Sequence, residues 1–506
     1  KTFASDHTIT ALAGFHSEYY RFYELYAYRE IFPSNTLTDI NAGGTANLNN
    51  SGYTRDLTML SWFGRVNYDY AGRYLLEANV RYDGSSRFGK GNRWGLFPSF
   101  SAGWRFSEEL FFESLTEIFD NAKLRASWGK LGNQNIGSYY PTISTLSLGK
   151  NYPFNGTITS GAYTEYAANP NLKWETTTSW GVGLDLMLFR GLEVNLDYYD
   201  KTTSGILMTV ATPEPYALSN YYDNVGKVTN RGVELAINWR DVVGNVSYHI
   251  GGNFAYNKNR IKSMGAVLEQ ISTSESYSSI MRRGEAMNSL YGYVSNGFFN
   301  TQEEIDNYCA SYNIGYTPKP GDLRYVDINK DGVIDANDRT VLGSFDPGIT
   351  FGFNLGATWK GLDFTANFQG AAKVKGYIGM EGIGYINGDV AKPTTIWLNH
   401  WTPENTNPKT PRLVQGYAGW SMPNTTSSFW TQDASYLRLK TFQLGYSLPA
   451  KWLSKVGISN LRIFYTAENL LTFTHFMEGY DPEAPGGNGN FYPQTKTHSF
   501  GLTVKF

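Results

Sequence analysis

The sequence predicts an all-β fold, a transmembrane antiparallel β-barrel. Three observations lead to this fold class. Apolar and polar residues alternate with period two, short turns alternate with long connections, and aromatic residues make up 16% of the 506 residues. Charged residues reach only 17%, against roughly 25% in an average soluble domain, and the 41% hydrophobic content is too high for a disordered chain.

Composition also excludes several classes of protein. A formal net charge of −2 provides no electrostatic drive toward nucleic acid, so we expect no nucleic-acid partner. The single cysteine, Cys309, excludes an intrachain disulfide, and no run of about 18 apolar residues marks a transmembrane helix. Because the chain begins at Lys1 with neither Met nor an apolar signal segment, we expect a mature or internal part of a protein.

Each predicted strand has one apolar and one polar face. Leu76, Val80 and Tyr82 form the apolar face of one strand, whereas Glu77 and Arg81 belong to its polar face. We count about fourteen such strands, each of roughly nine to twelve residues, from the first near residues 8–16 to the last, which ends the chain. Further clear examples are residues 184–188, 192–199, 233–239, 351–360 and 497–506.

The connections between the predicted strands alternate in length. Tight turns are expected at 71–72, 190–191, 241–244 and 360–361, with somewhat longer ones at 107–121 and 449–460. Long connections are expected at 130–173, 201–231, 257–347, 370–433 and 470–496. Short turns on one side and long loops on the other are typical of an outer-membrane β-barrel.

The polar face favours this barrel over its main alternative, a large secreted β-sandwich or propeller. Inside hydrocarbon every backbone N–H and C=O group needs an internal partner, which a closed sheet provides. The apolar face then contacts the lipid bilayer, and the polar face lines a wet lumen or a plug. A packed sandwich core could not hold so many unpaired polar side chains.

No group of catalytic residues is recognisable, so we predict that the chain is not an enzyme. The six histidines are scattered and form no His-Glu-x-x-His pair. The dipeptide Gly-Lys at 89, 129, 149 and 226 is never followed by Ser or Thr, which excludes a phosphate-binding P-loop. We interpret the carboxylate pair Asp481 and Glu483 as solvated loop residues rather than a general acid and base.

One motif carries specific chemistry, the loop at 327–338 within the longest connection. Side-chain oxygens fall at loop positions 1, 3, 5, 9 and 12, and a glycine at position 6 allows a sharp turn. The alternative is an Asp- and Asn-rich turn without metal. We predict a structural Ca²⁺ site whose ligands are Asp327, Asn329, Asp331, the backbone carbonyl of Val333, Asp335 and Asp338.

The last predicted ligand departs from the usual calcium loop. Asp338 stands where a signalling EF-hand has a longer, bidentate Glu, so we expect either weaker binding or a loop pulled tighter around the ion.

Aromatic residues cluster in the long connections, at Tyr139–Tyr140, Tyr221–Tyr222, 291–299 and Trp397–Trp401. They could stack on sugar rings or contact a partner protein. The alternative is that they mark membrane interfaces, where barrels place Tyr and Trp regardless of ligand. The sequence therefore assigns no substrate-binding residue.

Several motifs together resemble a known family. They are similar to the carboxy-terminal barrel portion of the SusC/RagA family of TonB-dependent outer-membrane transporters of Bacteroidetes. The likeness spans nearly the whole chain and includes residues 123–133, 169–175, 224–234, 321–327, 435–440, 467–473, 479–483 and 492–494, together with the strand that ends at Phe506.

The resemblance implies a 22-stranded barrel in the outer membrane of a Gram-negative bacterium. It implies an amino-terminal plug, a SusD-like surface lipoprotein as a lid, and a TonB complex that drives transport. Residues 1–506 would be the carboxy-terminal barrel portion, with the plug outside this sequence and Lys1 on the periplasmic side. The implied function is energised import of a large nutrient, and the expected nutrient is an oligosaccharide. The alternatives are an oligopeptide importer of the same family and a passive porin-like barrel.

Overall fold

The fold is described from a computed structural model. It describes residues 1–3, 6–164, 167–210, 212, 215, 218, 220–265, 269–274, 276–384, 393–414, 421–453, 457–487 and 489–506.

Strands dominate the first half of the chain. They are β1 (Thr2–Phe3), β2 (His7–Tyr28), β3 (Asn49–Tyr70), β4 (Tyr74–Ser85), β5 (Trp94–Arg105), β6 (Phe119–Asn133), β7 (Leu146–Leu148), β8 (Tyr152–Phe154), β9 (Thr157–Thr159), β10 (Ala162–Thr164), β11 (Glu175–Leu188), β12 (Leu192–Val210), β13 (Tyr221–Val243) and β14 (Val246–Met264).

The second half alternates long strands with short ones in the connections. Its strands are β15 (Glu269–Thr273), β16 (Ser278–Arg282), β17 (Ser289–Gly292), β18 (Ser295–Phe298), β19 (Asn313–Ile314), β20 (Leu323–Tyr325), β21 (Val333–Ile334), β22 (Thr340–Gly343), β23 (Ile349–Trp359), β24 (Leu362–Ala372), β25 (Lys375–Ile378), β26 (Gln432–Asp433), β27 (Tyr436–Ser447), β28 (Asn460–Thr474), β29 (Gly486–Gly487) and β30 (Thr497–Lys505). Its helices are α1 (Gln302–Ser311), α2 (Met380–Ile383) and α3 (Ala450–Leu453). No helix among the described residues has the length and apolar character that a membrane span requires.

The long strands follow one another in a single sheet. Its order is β1-β2-β3-β4-β5-β6-β11-β12-β13-β14-β23-β24-β27-β28-β30, so strands adjacent in the chain are neighbours except where a connection carries short strands of its own. Apart from the two-residue β1, these are the fourteen long strands that the sequence predicts. The all-β, antiparallel fold class is confirmed.

The two faces of the sheet have the polarity expected of a sheet with lipid outside. On β4, Leu76 and Tyr82 are exposed. On the other face, the Arg81 Nε donates to a carboxylate oxygen of Asp83 at 2.7 Å, and the Arg81 Nη2 donates to the hydroxyl of the fully buried Ser61 at 3.0 Å. A water-soluble sheet would bury the apolar face instead.

Strand length is the main difference from the sequence-based expectation. β2 and β3 each have 22 residues and pair without interruption from His7 opposite Tyr70 to Tyr28 opposite Asn49. At about 3.3 Å per residue this hairpin extends roughly 70 Å, far beyond an apolar band of about 25 Å. The predicted nine to twelve residues were too few because alternation marks only the lipid-facing part of a strand, while backbone pairing continues beyond it.

One predicted long connection, 201–231, was wrong for the same reason. β12 continues to Val210 and β13 already begins at Tyr221. The alternation is interrupted at Gly205, whose φ of +63° lies in the left-handed region and whose carbonyl accepts a hydrogen bond from the Asn224 side chain at 2.8 Å. Because of this interruption, alternation of period two does not identify the outer part of the strand.

The predicted tight turns at 71–72 and 360–361 are confirmed. Ala71 and Gly72 have φ values of +54° and +66°, and Lys360 and Gly361 have +47° and +89°. Positive φ at both central residues is the geometry of the type I′ turn, whose twist matches that of antiparallel strands.

The chain divides into two compact units. The first comprises Lys1–Trp104, Arg125–Trp180 and Lys201–Lys227, and the second comprises Arg105–Leu124, Gly181–Asp200 and Val228–Phe506. In the first unit, the connections pack around a small core of Phe88, Phe97, Ile136, Leu172 and Trp174. The Trp174 indole N–H donates to the carbonyl of Arg93 at 2.9 Å. A motif of the family resemblance, 169–175, is therefore part of this core.

The second unit has a larger core made by its connections. Its buried residues include Tyr377, Ile378, Trp397, Trp430 and Phe476. The short strand β25 pairs with both β26 and β29, so segments distant in the chain are tied together within this core.

An ion cluster holds one connection of the second unit against β27. Arg438 lies 2.7 Å from the Asp481 carboxylate and 2.9 Å from that of Glu483, which also contacts Lys440 at 2.9 Å. The Arg438 side chain is 4% exposed. Asp481 and Glu483, which we interpreted as solvated, instead neutralise a buried arginine and join two of the motifs that carry the family resemblance.

Replacing Trp174 with Ala should loosen the connections of the first unit while its sheet persists. Removing a buried Trp costs about 3–5 kcal/mol, and Trp174 is only 8% exposed. Limited proteolysis should therefore cut within 134–174 of the variant faster than in the wild type. The matched control is Trp180→Ala, because Trp180 is 44% exposed on β11. Equal protection of 134–174 in both variants would contradict the role of this core.

Replacing Arg438 with Gln should release the connection that contains Asp481. Removing one partner of a buried ion pair costs about 3–5 kcal/mol, because the remaining carboxylates stay buried without a counter-charge. Amide hydrogen exchange in 475–487 should accelerate on the order of a hundredfold. Lys440→Gln removes the same charge from a side chain that is 27% exposed, so a smaller change is expected there. An unchanged exchange rate in Arg438→Gln would show that Arg438 does not hold this connection against β27.

Candidate functional site

The predicted calcium loop at 327–338 is ordered by its own side chains. Asp327 begins it, with Oδ1 accepting from the backbone N–H of Lys330 at 2.6 Å and Oδ2 accepting from that of Gly332 at 2.9 Å. Lys330 and Gly332 have φ values of +62° and +81°, which produce the sharp turn expected at the glycine.

Three further predicted ligands make the same kind of local bond. The Oδ1 atoms of Asn329, Asp331 and Asp335 each accept from the backbone N–H two residues later, at 3.0, 2.8 and 2.7 Å. Val333 lies in β21, whose parallel pairing with β19 anchors the middle of the loop. These side-chain to backbone bonds are those of an Asx turn.

Asp338 closes the loop. It is fully buried, with Oδ1 accepting from the N–H of Ile328 at 2.8 Å and Oδ2 accepting from that of Asp335 at 2.9 Å. The short side chain of Asp338 thus reaches both the beginning and the end of the loop. A longer Glu would not fit this geometry without moving the backbone.

The calcium prediction stays a prediction. The six predicted ligand residues share one loop, but nowhere in the described residues do three or more His, Cys, Asp or Glu side chains converge as metal ligands. The carboxylate oxygens that a cation would use accept from backbone N–H groups and from the side-chain amides of Asn329 and Asn337. Ca²⁺ would therefore have to bind through the remaining lone pairs of these oxygens.

A polar cavity of about 190 Å³ lies in the second unit beside the end of this loop. It is lined by Ser278, Tyr291, Tyr293, Arg339, Asn424, Thr425 and Thr426. Arg339 directly follows the buried Asp338, and its guanidinium carbon lies 5.3 Å from the centre of the Tyr291 ring. The loop therefore determines where this guanidinium lies.

Contacts between two connections, the one from β14 to β23 and the one from β24 to β27, build the cavity. The Tyr293 N–H donates to the carbonyl of Thr426 at 2.9 Å, and the Ser278 N–H donates to the Thr426 hydroxyl at 2.7 Å. A Cβ atom at Gly292 would clash with the Thr426 carbonyl, so this close approach requires glycine. In addition, β17 pairs with β22, which brings Tyr291 opposite Val341.

The cavity combines aromatic faces with polar groups. Burial raises the pKa of Tyr293, so its hydroxyl stays protonated. Arg339 forms no ion pair with any described residue, and its Nε donates to the carbonyl of Ala336 at 3.1 Å, which leaves the Nη atoms for a ligand. Hydroxyl, amide and guanidinium groups beside tyrosine rings suit one polar ring or one peptide unit, and they contain no nucleophile with its general base.

The sequence located part of this cavity. Its aromatic cluster at 291–299 contains Tyr291 and Tyr293, which the structure buries in the wall. Arg339 and Thr426 were missed because no local pattern connects residues so distant in the chain. The tryptophans of the aromatic cluster at Trp397–Trp401 do not line this cavity, and Trp397 belongs to the larger core of the second unit.

The comparison with family models gives one match. Residues 1–274 match the family described as TonB dependent receptor-like, beta-barrel. This family consists of transporters, which agrees with the prediction that the chain is not an enzyme.

Curated relatives agree with the family model. The TonB-dependent receptor P3 of Formosa agariphila is 31% identical over 522 residues, which cover 99% of this chain and 51% of that receptor. The TonB-dependent receptor SusC of Bacteroides thetaiotaomicron is 30% identical over 465 residues, which cover 90% of this chain and 44% of SusC. The chain spans about half the length of the curated relatives it matches.

A solved structure matches the whole fold. The RagAB peptide transporter is 26% identical, with a TM-score of 0.83, and the match covers 100% of this chain and 54% of the RagAB chain. Since the family model covers more than half of the chain, and since relatives and structure agree with it, the chain belongs to the TonB-dependent receptor-like β-barrel family of the outer membrane, and its resemblance to the SusC/RagA group is confirmed.

Proposed function

We propose that the protein containing this chain imports a large nutrient across the outer membrane in a TonB-dependent manner, and that the nutrient is an oligosaccharide. The observation that carries this proposal is the cavity lined by Tyr291, Tyr293 and Arg339. Its size suits a single sugar unit of a longer chain. Tyrosine faces pack against the apolar side of a sugar ring, and hydroxyl, amide and guanidinium groups bind sugar hydroxyls.

An oligopeptide is the second candidate substrate. RagAB is a peptide transporter, and its structure matches the whole of this chain. A backbone amide of a peptide would find the same donors and acceptors in the cavity. A passive porin-like barrel is the alternative of another class, and ion conductance without TonB would distinguish it from an energised importer.

A SusD-like surface lipoprotein and the TonB complex are the proposed partners. The first unit offers an exposed apolar surface for a lipoprotein, since the connection containing β7 to β9 exposes Leu146, Leu148, Phe154 and Ile158. Monomeric soluble proteins rarely expose a contiguous surface of this kind, and such surfaces commonly mark protein interfaces. TonB would act through parts of the protein outside this chain.

Replacing Arg339 with Gln should lower uptake about tenfold, because one charge-assisted hydrogen bond to substrate is worth about 1.5–3 kcal/mol. Uptake of labelled oligosaccharide and peptide mixtures is measured in cells of the source bacterium that carry the substitution. The same measurement is made in cells that lack TonB. Arg324→Gln is the matched control, because Arg324 bonds to Asn296 outside the cavity. Wild-type uptake by Arg339→Gln cells would refute the cavity as a substrate site, and TonB-independent uptake would refute energised import.

We also propose that Ca²⁺ orders the loop at 327–338. Asp331→Asn tests this, because the amide keeps an oxygen for the Val333 N–H but removes the charge that a hard cation needs. Calcium should protect 313–339 of the wild type from protease, and the variant should need at least about tenfold more calcium for equal protection. The control is Asn313→Ala, because Asn313 is exposed on β19 and lies outside the ligand set. Equal protection of the wild type in calcium and in chelator would contradict a calcium site.

A further inference from the structure

Five side chains form a second polar and aromatic surface, which lies in the first unit. We name it the arginine–tyrosine cluster: Tyr20, Tyr53, Arg55, Arg87 and Tyr139. No sequence motif marked it except the pair Tyr139–Tyr140, because its members come from two strands and two connections.

The cluster lies on the polar face of the β2–β3 hairpin. Arg55 is directly opposite Phe22, and Tyr20 lies two residues from Phe22, so Arg55 and Tyr20 share one face. Ser61, which is fully buried, lies on the same face of β3 as Arg55. Trp62, which is exposed, lies on the opposite face. The cluster thus lies on the face opposite to the lipid-facing residues.

Tyr139 is the centre of the cluster. Its ring centre lies 5.7 Å from the guanidinium carbon of Arg55 and 5.1 Å from that of Arg87. The Tyr20 ring is stacked against it, with 6.5 Å between the ring centres and an interplanar angle of 20°. Arg55 also lies 4.2 Å from the ring centre of Tyr53. Aromatic contacts therefore hold both guanidinium groups near one ring.

Neither arginine is neutralised by the described part of the chain. Arg55 has no carboxylate within ion-pair distance and donates no side-chain hydrogen bond there, and Arg87 donates only from Nη1, to the carbonyl of Gln134 at 3.0 Å. The Arg87 Nε atom is buried without a hydrogen-bond partner.

Two acids of the same hairpin already accept hydrogen bonds, one of them from a tyrosine of the cluster. Asp56 accepts two hydrogen bonds from Arg21, at 2.8 and 3.3 Å, on the opposite face. Glu24 accepts from the Tyr53 hydroxyl at 3.0 Å. Within the described residues, two guanidinium groups without an ion pair thus lie beside aromatic rings, and the hydroxyl of one ring donates to Glu24.

We propose that the arginine–tyrosine cluster binds the anionic group of an acidic oligosaccharide, a carboxylate or a sulfate ester, with the sugar ring against Tyr20 or Tyr53. The guanidinium fork matches the geometry of both oxyanions. The exposed tyrosine rings favour a sugar over an acidic peptide, because they offer a flat face beside the charge. This inference rests on the proposed function, the import of an oligosaccharide.

The test compares two probes with the same sugar rings, the hexamer of galacturonic acid, which is charged, and its methyl ester, which is neutral. Binding is measured calorimetrically on the full-length transporter, purified with its lipoprotein. The wild type should bind the acid at least about tenfold more tightly, and the Arg55→Gln/Arg87→Gln variant should bind both probes equally. Arg21→Gln is the control, since it removes one positive charge from a paired arginine on the opposite face and should keep the preference.

A second variant separates geometry from charge. Arg55→Lys/Arg87→Lys keeps both charges but loses the planar fork, so it should recover only part of the preference. Heat-dependent gel mobility establishes that each variant contains a folded barrel.

Three results would overturn the inference: no binding of the acid by the wild type, equal binding of acid and ester by the wild type, or a preference that survives in Arg55→Gln/Arg87→Gln. Tighter binding of hexaglutamate than of the acidic sugar through the same arginines would overturn the sugar assignment.

Failure of the proposed function is distinguishable, because TonB-dependent uptake would then be absent for every oligomer. Failure of this inference alone would leave uptake intact and insensitive to substrate charge.

Discussion

Every backbone N–H and C=O group that crosses lipid must find its partner within the protein, and the rest of the structure depends on this constraint. It explains why each long strand lies beside the next one in the chain. An antiparallel neighbour joined by a short turn provides the backbone hydrogen bonds at the lowest entropy cost of loop closure. It also explains the reversed polarity of the faces. Once the backbone is satisfied, Leu76 and Tyr82 can be exposed while Arg81 and Asp83 are held on the other face.

The long connections face water and have to fold by other means. Each unit therefore builds small cores of its own, around Trp174 in the first and around Tyr377 and Trp430 in the second. Two of the polar side chains buried by these connections are paired. Arg438 is neutralised by two carboxylates, and the buried Asp338 accepts from the backbone at both ends of its loop.

The two proposed ligand surfaces use the same pair of residue types in different settings. In the cavity of the second unit, Arg339 lies beside Tyr291, and Asp335 and Asp338 influence the neighbouring Tyr293, so the local charge is mixed. In the arginine–tyrosine cluster of the first unit, neither Arg55 nor Arg87 forms an ion pair with a described residue. The first setting suits neutral polar units, and the second suits an oxyanion.

The sequence by itself determined the fold class, the number of long strands, the turns at 71–72 and 360–361, and the sharp turn at Gly332, because alternation, turn chemistry and ligand spacing are properties of neighbouring residues. It did not determine how far β2, β12 and β13 extend, since pairing beyond the lipid leaves no apolar pattern. Only the tertiary structure decided three contacts: the ion pair of Arg438 with Asp481, the hydrogen bond of Tyr293 to Thr426, and the packing of Arg55 and Arg87 around Tyr139. Each joins segments far apart in the chain, and their contact depends on how whole connections pack rather than on any local preference.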